Sequence, residues 1–256
     1  MYGTAFRQHT ISLYLSGYTA LEVSSATGIS ASTVLNWVRQ STPVTRPRHT
    51  CPVPGGALRP GVPRHEYAYL LGLYLGDGHL ATSGRRPELR IYCGNAWPGL
   101  IDRCAQAMSA VMPSKPVKRY QRPGCVCVQS TSKHWLCLFP QAGPGRKHNR
   151  HIELTPWQQA IVDAHPWDLI CGLIHSDGCR ITNWTTRTVS GVKKRYEYPR
   201  YCFTNKSADI INILTSALDA VDVRWTVIRH PNDAFVVSVA RKDSVALMDA
   251  HIGPKY

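Results

Sequence analysis

The chain predicts a mixed α+β protein in which two tandem, pseudo-symmetric αββαββα units follow a small all-α module. Three observations carry that reading. A nine-residue string occurs twice, as Leu70-Leu71-Gly72-Leu73-Tyr74-Leu75-Gly76-Asp77-Gly78 and as Ile170-Cys171-Gly172-Leu173-Ile174-His175-Ser176-Asp177-Gly178. The similarity runs on past it: Arg90-Ile91-Tyr92-Cys93-Gly94-Asn95 lines up with Arg200-Tyr201-Cys202-Phe203-Thr204-Asn205, 110 residues later. At that same offset Leu100, Ile101, Cys104, Ala107 and Val111 meet Ile210, Ile211, Leu214, Ala217 and Val221, and Gly143-Pro144 meets Gly253-Pro254. Third, the first forty residues carry helical spacing and turn glycines but none of the repeat's pattern. Four segments follow: 1–40, a Pro/Arg-rich linker over 41–64, a first repeat with its basic connection over 65–164, and a second repeat over 165–256.

Residues 4–40 read as three helices. Ile11, Leu13 and Leu15 precede a turn at Gly17, residues 20–27 form the second helix, and a tight turn at Gly28 leads into the third. The string from Val23 to Val38 resembles a helix-turn-helix: Ser24 permits close helix contact, Gly28 supplies a positive φ, and Ile29, Val34 and Trp37 make a buried stripe. Ser30 is a natural cap. Ser32, Thr33, Asn36 and Arg39 then lie on the polar side, where short polar groups reach base edges and Arg39 a phosphate. A three-helix bundle used for protein contacts remains the plainer alternative, because this segment carries a net charge of only +1.

The linker holds Pro43, Pro47, Pro52, Pro54, Pro60 and Pro63 with Gly55-Gly56, so an extended tether is expected. Its charges are Arg46, Arg48, Arg59 and Arg64, which suit a phosphate backbone or simply a soluble linker.

Each repeat opens with a helix that is apolar nearly all round and therefore buried. Gly72 with Gly76, and Gly172 with Ser176, put small residues four apart on one face, so the two helices can pack backbone to backbone. Gly78 and Gly178 suit the left-handed position after a helix end. Asp77 and Asp177, however, face the negative end of the helix dipole. An unfavourable placement repeated at equivalent positions is what a cation site imposes, with the two carboxylates and last-turn carbonyls such as those of Gly76 and Ser176 converging on divalent ions. Two ordinary helix ends with solvated aspartates are the alternative.

In the following strands Leu89, Ile91 and Cys93 alternate with Glu88, Arg90 and Tyr92, and Tyr201 and Phe203 with Arg200, Cys202 and Thr204. Lys118, Tyr120 and Arg122 share a face, as do Arg224 and Thr226. One face of each sheet is thus polar and basic. Two such sheets side by side make a saddle able to track a DNA duplex, to which Arg146, Arg180 and Arg187 add charge. The nonamers lie only 100 residues apart, so ten extra residues enter the second copy between Gly178 and Arg200, beside Lys193-Lys194-Arg195, and a longer surface hairpin absorbs them.

Composition points the same way. The formal charge of +14 divides as +1, +4, +6 and +3 over the four segments, and the pI is near 9.6. A polyanion, nucleic acid above all, is the expected partner. No apolar run approaches the ~20 residues of a membrane span, and nothing at the N-terminus suggests secretion, so a cytoplasmic, nucleoid-associated location is expected. Nine cysteines without a C-x-x-C pair read as free thiols, with Cys93, Cys104, Cys171 and Cys202 at core positions. Cys125-x-Cys127 has the wrong spacing for a zinc knuckle.

On both nonamers, residues 66–256 resemble a monomeric two-repeat LAGLIDADG homing endonuclease, over about three quarters of the chain. The resemblance implies that the last acid of each motif, Asp77 and Asp177, holds catalytic Mg²⁺, with Mn²⁺ as substitute. The earlier acidic position is Leu75 and His175 here. It also implies that Asn95 and Asn205 organise active-site water and that Lys147, with Arg146, and Lys255 act as the basic residues. The activity implied is hydrolysis of both strands at a long asymmetric site, as in intron homing. A second class stays open: a transcription regulator coupling the same scaffold to a helix-turn-helix, binding without cleavage. An intein-embedded enzyme is disfavoured, since no nucleophile follows Met1 and no His-Asn ends the chain, and a maturase acting on intron RNA remains a minor alternative.

Overall fold

The computed structural model describes residues 2–41, 51–231 and 233–256. It divides into two compact units, residues 1–49 and 50–256.

The first unit is three helices, α1 (Thr4–Leu15), α2 (Ala20–Thr27) and α3 (Ala31–Ser41). Thr19 and Glu22 form a capping box that starts α2. Gly28 ends it at φ 70°, and Ser30 Oγ accepts the amide of Thr33 at 3.3 Å to start α3. Val23, Ile29 and Val34 form its core, with Leu13, Tyr14 and Trp37 against them.

The second unit holds two repeats. The first runs α4 (Arg64–Leu75), β1 (Gly78–Ala81), β2 (Glu88–Gly94), α5 (Pro98–Val111), β3 (Val117–Arg122), β4 (Cys125–Thr131) and the short α6 (Trp135–Leu138). After α7 (Pro156–Ala164) the second runs α8 (Pro166–Asp177), β5 (Gly178–Val189), β6 (Val192–Asn205), α9 (Ala208–Ala220), β7 (Thr226–Arg229), β8 (Phe235–Val239) and α10 (Lys242–His251). The two antiparallel sheets have matching order, β1-β2-β4-β3 and β5-β6-β8-β7, with helices covering one face of each. Among the described residues no helix is long and apolar enough to cross a membrane.

The α4–α8 pair is the centre of this unit. Every α4 residue from Glu66 to Leu75 is buried, and each fully buried leucine there contributes about 2 kcal/mol. Contact is backbone to backbone. A Cβ on Gly172 would stand 2.1 Å from the Tyr69 carbonyl oxygen, and one on Gly72 2.5 Å from that of Leu169. Arg103 caps the arrangement from the side, with Nη1 2.6 Å from Glu66 Oε2 and its guanidinium 4.2 Å from the Tyr69 ring centroid.

Three expectations are corrected. Gly78 and Gly178 do not adopt the left-handed conformation; Gly178 is extended at φ −96°. Glycine is required because the chain doubles back against the last helical turn, where a Cβ would meet the Tyr74 Cα at 2.4 Å or the Ile174 Cα at 2.7 Å. Residues 51–63 are not an extended tether: they make a 3₁₀ turn at Pro54–Gly56 and bury Leu58 in the core. Arg46 and Arg48 lie outside the described residues. Finally, strand pairing sets Gly78 opposite Ile91 but Gly178 opposite Phe203, spans of 13 and 25 residues, so the hairpin gains twelve residues rather than ten. The gain is a long β5–β6 ribbon closed by Ser190 and Gly191 at φ 53° and 77°, the positive values a two-residue hairpin turn uses.

Candidate functional site

Asp77 and Asp177 come together where α4 and α8 end side by side, each half-buried in its own cleft. The cleft holding Asp177, about 620 Å³, is lined by Gly76 and His79 from the first repeat, Lys147 and Arg150 from the connection, and Asn205 from the second repeat. The smaller one, about 230 Å³, holds Asp77 with Cys93, Ser176 and Lys255. Glycine at position 76 lets the carboxylate cross: a Cβ there would stand 3.3 Å from Asp177 Oδ2 and 2.1 Å from Ser176 Oγ.

A lysine closes each helix end. Lys147 Nζ donates to the Tyr74, Leu75 and Gly76 carbonyls at 2.5, 2.8 and 2.6 Å, and Lys255 Nζ donates to the Ser176 carbonyl at 2.9 Å. A positive charge there complements the helix dipole. Asn205 Nδ2 donates to Asp177 Oδ2 at 2.8 Å and fixes that carboxylate.

Burial raises the Asp77 carboxyl to about 6, and the Asp177 charge adds to it, against the pull of Lys255 and Lys147. Asp177 is raised too, by burial, with the Asn205 hydrogen bond and both lysines opposing. Burial lowers Lys147 to about 8 against the attraction of both aspartates, and lowers Lys255 in the same way. Two carboxylates that resist ionising together, beside the Gly76 and Ser176 carbonyl oxygens, form a hard oxygen donor set that fits Mg²⁺ or Mn²⁺. Those carbonyls take lysine ammoniums here, so the helix ends already favour positive charge.

The pair also sets a pH dependence. Asp77 is raised in the folded protein, so its contribution to stability is complete below its unfolded value near 3.9 and is lost as pH rises through about 6. Without metal, the melting temperature of the wild type relative to an Asp77→Asn/Asp177→Asn variant should fall between pH 4 and pH 7, by the equivalent of roughly 2–3 kcal/mol. Saturating Mg²⁺ should reverse the trend. A difference that stays flat with pH would show that the buried carboxyls are not held above their ordinary range.

Other sequence-predicted residues fall in two groups. Tyr92, Lys118, Tyr120, Arg122, Arg146, Arg187 and Arg224 are exposed. Arg90 is paired with Glu88, its Nε 2.7 Å from Oε2, and Arg200 Nη2 donates to Ser238 Oγ at 2.6 Å, both on the sheet face away from the helices. On α3, Ser32, Asn36 and Arg39 are exposed and Thr33 is half-buried, its Oγ1 2.7 Å from Ser30 Oγ. Two residues lie elsewhere than expected. Arg180 pairs across the strands with buried Tyr201, which turns it toward α10, where it makes a two-pronged contact to Asp249 at 2.6 and 2.8 Å. Asn95 follows the end of β2, exposed, and accepts from Gln121 at 3.0 Å instead of meeting Asp77. The twelve-residue gain explains this: Cys93, two residues after Ile91, occupies the place that Asn205, two after Phe203, holds in the second repeat.

Sequence reasoning missed Cys93, His79 and Arg150. Arg150 Nε and Nη1 are buried without a protein partner and belong to the Asp177 cleft, an arrangement suited to a phosphate oxygen. The basic run 146–150 was its only signal. His175, in the position the resemblance leaves non-acidic, is a buried neutral side chain lowered to about 4 by burial, with Nδ1 3.0 Å from Tyr69 Oη.

The second unit has the LAGLIDADG fold, two pseudo-symmetric repeats meeting through their motif helices. Among solved structures it is similar to a mesophilic variant of the homing endonuclease I-DmoI, with a TM-score of 0.51 at 18% identity, covering 74% of this chain and 96% of that one. I-DmoI in complex with DNA and Mn gives a TM-score of 0.50 at 18% identity, covering 75% and 98%. The N-terminal LAGLIDADG domain of DUF199/WhiA gives 0.46 at 12% identity, covering 76% and 86%. No family model matches the sequence, and no curated protein matches it.

Proposed function

We propose that residues 50–256 form a site-specific, divalent-metal-dependent endonuclease of homing type that cuts both strands of a long asymmetric DNA site, acting as a monomer. The observation that carries this reading is the pair of half-buried carboxylates, Asp77 and Asp177, brought together at two helix ends whose clefts are lined by Lys147, Arg150 and Lys255. Asp77, Asp177 and the Gly76 and Ser176 carbonyls would hold Mg²⁺ or Mn²⁺. When bound, such an ion stabilises charge on a phosphate and lowers the pKa of water. Asn205 keeps the Asp177 carboxylate aimed. Lys147 and Lys255 hold the helix ends in place and keep positive charge beside the scissile phosphates, while Arg146 and Arg150 take phosphate oxygens. Lys118, Tyr120, Arg122 and Arg200 contact the duplex from the sheets.

The three-helix unit supports the helix-turn-helix reading through the exposed Ser32, Asn36 and Arg39 of α3. The same surface favours a second reading, a transcription regulator that binds without cutting. A randomised duplex library incubated with the protein in Mg²⁺, with binding selected in Ca²⁺ in parallel, separates the two. Double-strand breaks at a recurrent sequence support the endonuclease. Selected binding with no breaks in Mg²⁺ or Mn²⁺ supports the regulator.

A further inference from the structure

We propose that Cys51, His134 and Cys137 form a zinc site, remote in sequence from the paired aspartates, that fastens the incoming chain to the first repeat. The ligand atoms of the three side chains, one imidazole nitrogen and two thiol sulfurs, all lie within 4.8 Å of one another. Two sulfurs on a tetrahedral zinc with Zn–S near 2.3 Å stand about 3.8 Å apart, so only a small adjustment is needed. The donor chemistry is selective: thiolate and imidazole suit Zn²⁺, whereas Mg²⁺ and Mn²⁺ prefer the oxygens of the aspartate pair.

Local structure presents these ligands on a rigid base. His134 and Cys137 are three residues apart at the start and within the single turn of α6, a spacing that puts both on one side of a helix. The turn is held by the Cys137 amide donating to the His134 carbonyl at 3.1 Å and by the His134 amide donating to Ser132 Oγ at 3.2 Å. Beneath it Trp135 is fully buried, its Nε1–H donated to the Ser130 carbonyl at 2.9 Å, alongside buried Leu138 and Phe139. Cys51 arrives from the other side on a segment with its own anchors. Pro52 is buried, its carbonyl accepts the Arg59 amide at 2.7 Å, and Leu58 enters the core.

The Cys137 thiol is raised by burial and by its hydrogen bond with the neighbouring Cys51 thiol. Zinc would satisfy both as thiolates, with the three side chains supplying three of four tetrahedral positions and leaving the fourth to water or a further group. A Cys51–Cys137 disulfide would use the same sulfurs but leave His134 out, and it is the competing arrangement.

The test uses the full chain purified under reducing conditions without chelator. Elemental analysis should find one zinc per chain in the wild type and in Asp77→Asn/Asp177→Asn, but less than a tenth of that in Cys51→Ser/Cys137→Ser. Cobalt in place of zinc should show thiolate-to-metal charge-transfer absorption. Should the double serine variant fail to fold, thiol alkylation of the wild type still decides: zinc should protect Cys51 and Cys137 at least tenfold, with exposed Cys179 reacting equally in both states. Absence of zinc after added Zn²⁺, unchanged zinc in the serine variant, equal alkylation with and without zinc, or a Cys51–Cys137 disulfide in the native peptide map would each overturn the proposal.

Discussion

Under the proposed metal-dependent cleavage, Asp77→Asn and Asp177→Asn should each cut the double-strand cleavage rate steeply while leaving DNA affinity within about threefold. Each substitution keeps the side-chain shape but removes one of the two negative charges that would hold the metal. If metal-borne stabilisation of the reacting phosphate amounts to about 4 kcal/mol, the rate falls roughly a thousandfold. The asparagine variants should also be more stable than the wild type without metal at pH 7, because they remove a charge that burial disfavours. Lost cleavage with gained stability is a combination that simple misfolding cannot produce. Cleavage within threefold of wild type in either variant would refute the shared-carboxylate site.

Gly172→Ala destabilises the second unit by about 3 kcal/mol, a drop of roughly 6–12 °C in melting temperature for a unit of this size. The new methyl would lie 2.1 Å from the Tyr69 carbonyl oxygen and 3.0 Å from the Gly72 Cα, all backbone, so α4 and α8 must separate. Gly72→Ala meets Leu169 and Leu173 backbone atoms at 2.5 and 2.7 Å and should behave alike. Gly84→Ala, whose methyl would find only the Arg86 carbonyl at 3.8 Å, is the control and should change little. Thermal unfolding at matched metal concentration measures all three; equal melting temperatures would mean that the helices do not pack through their backbones.

The paired helices and their aspartates were legible in the sequence because both nonamers carry small residues four apart and end in the same Asp-Gly pair, features that depend only on neighbours along the chain. Strand faces were legible by alternation, and Arg180 shows how that logic is lost when a residue is assigned by charge alone: counting from the inward Gly178 places it on the helix side with Tyr201. Asn95 failed for a different reason. An alignment offset fixes residues in sequence, but the length of a hairpin fixes them in space, and the β5–β6 ribbon moved the second repeat's register by two. The Cys51, His134 and Cys137 cluster could not be read at all, since Cys51 stands far upstream in a proline-rich segment whose packing only the fold reveals.

The unequal hairpins give the molecule a sense of direction. Strand β5 has 12 residues where β1 has 4, and at about 3.3 Å per residue the eight additional ones extend roughly 26 Å. Laid along a duplex, with base pairs about 3.4 Å apart, that length matches seven or eight of them. A cutting centre that is nearly two-fold symmetric would then be carried by arms of different reach. Such a protein could tell the left flank of its target from the right without a single base contact at the point of scission, and an inverted copy of one flank would not substitute for the other.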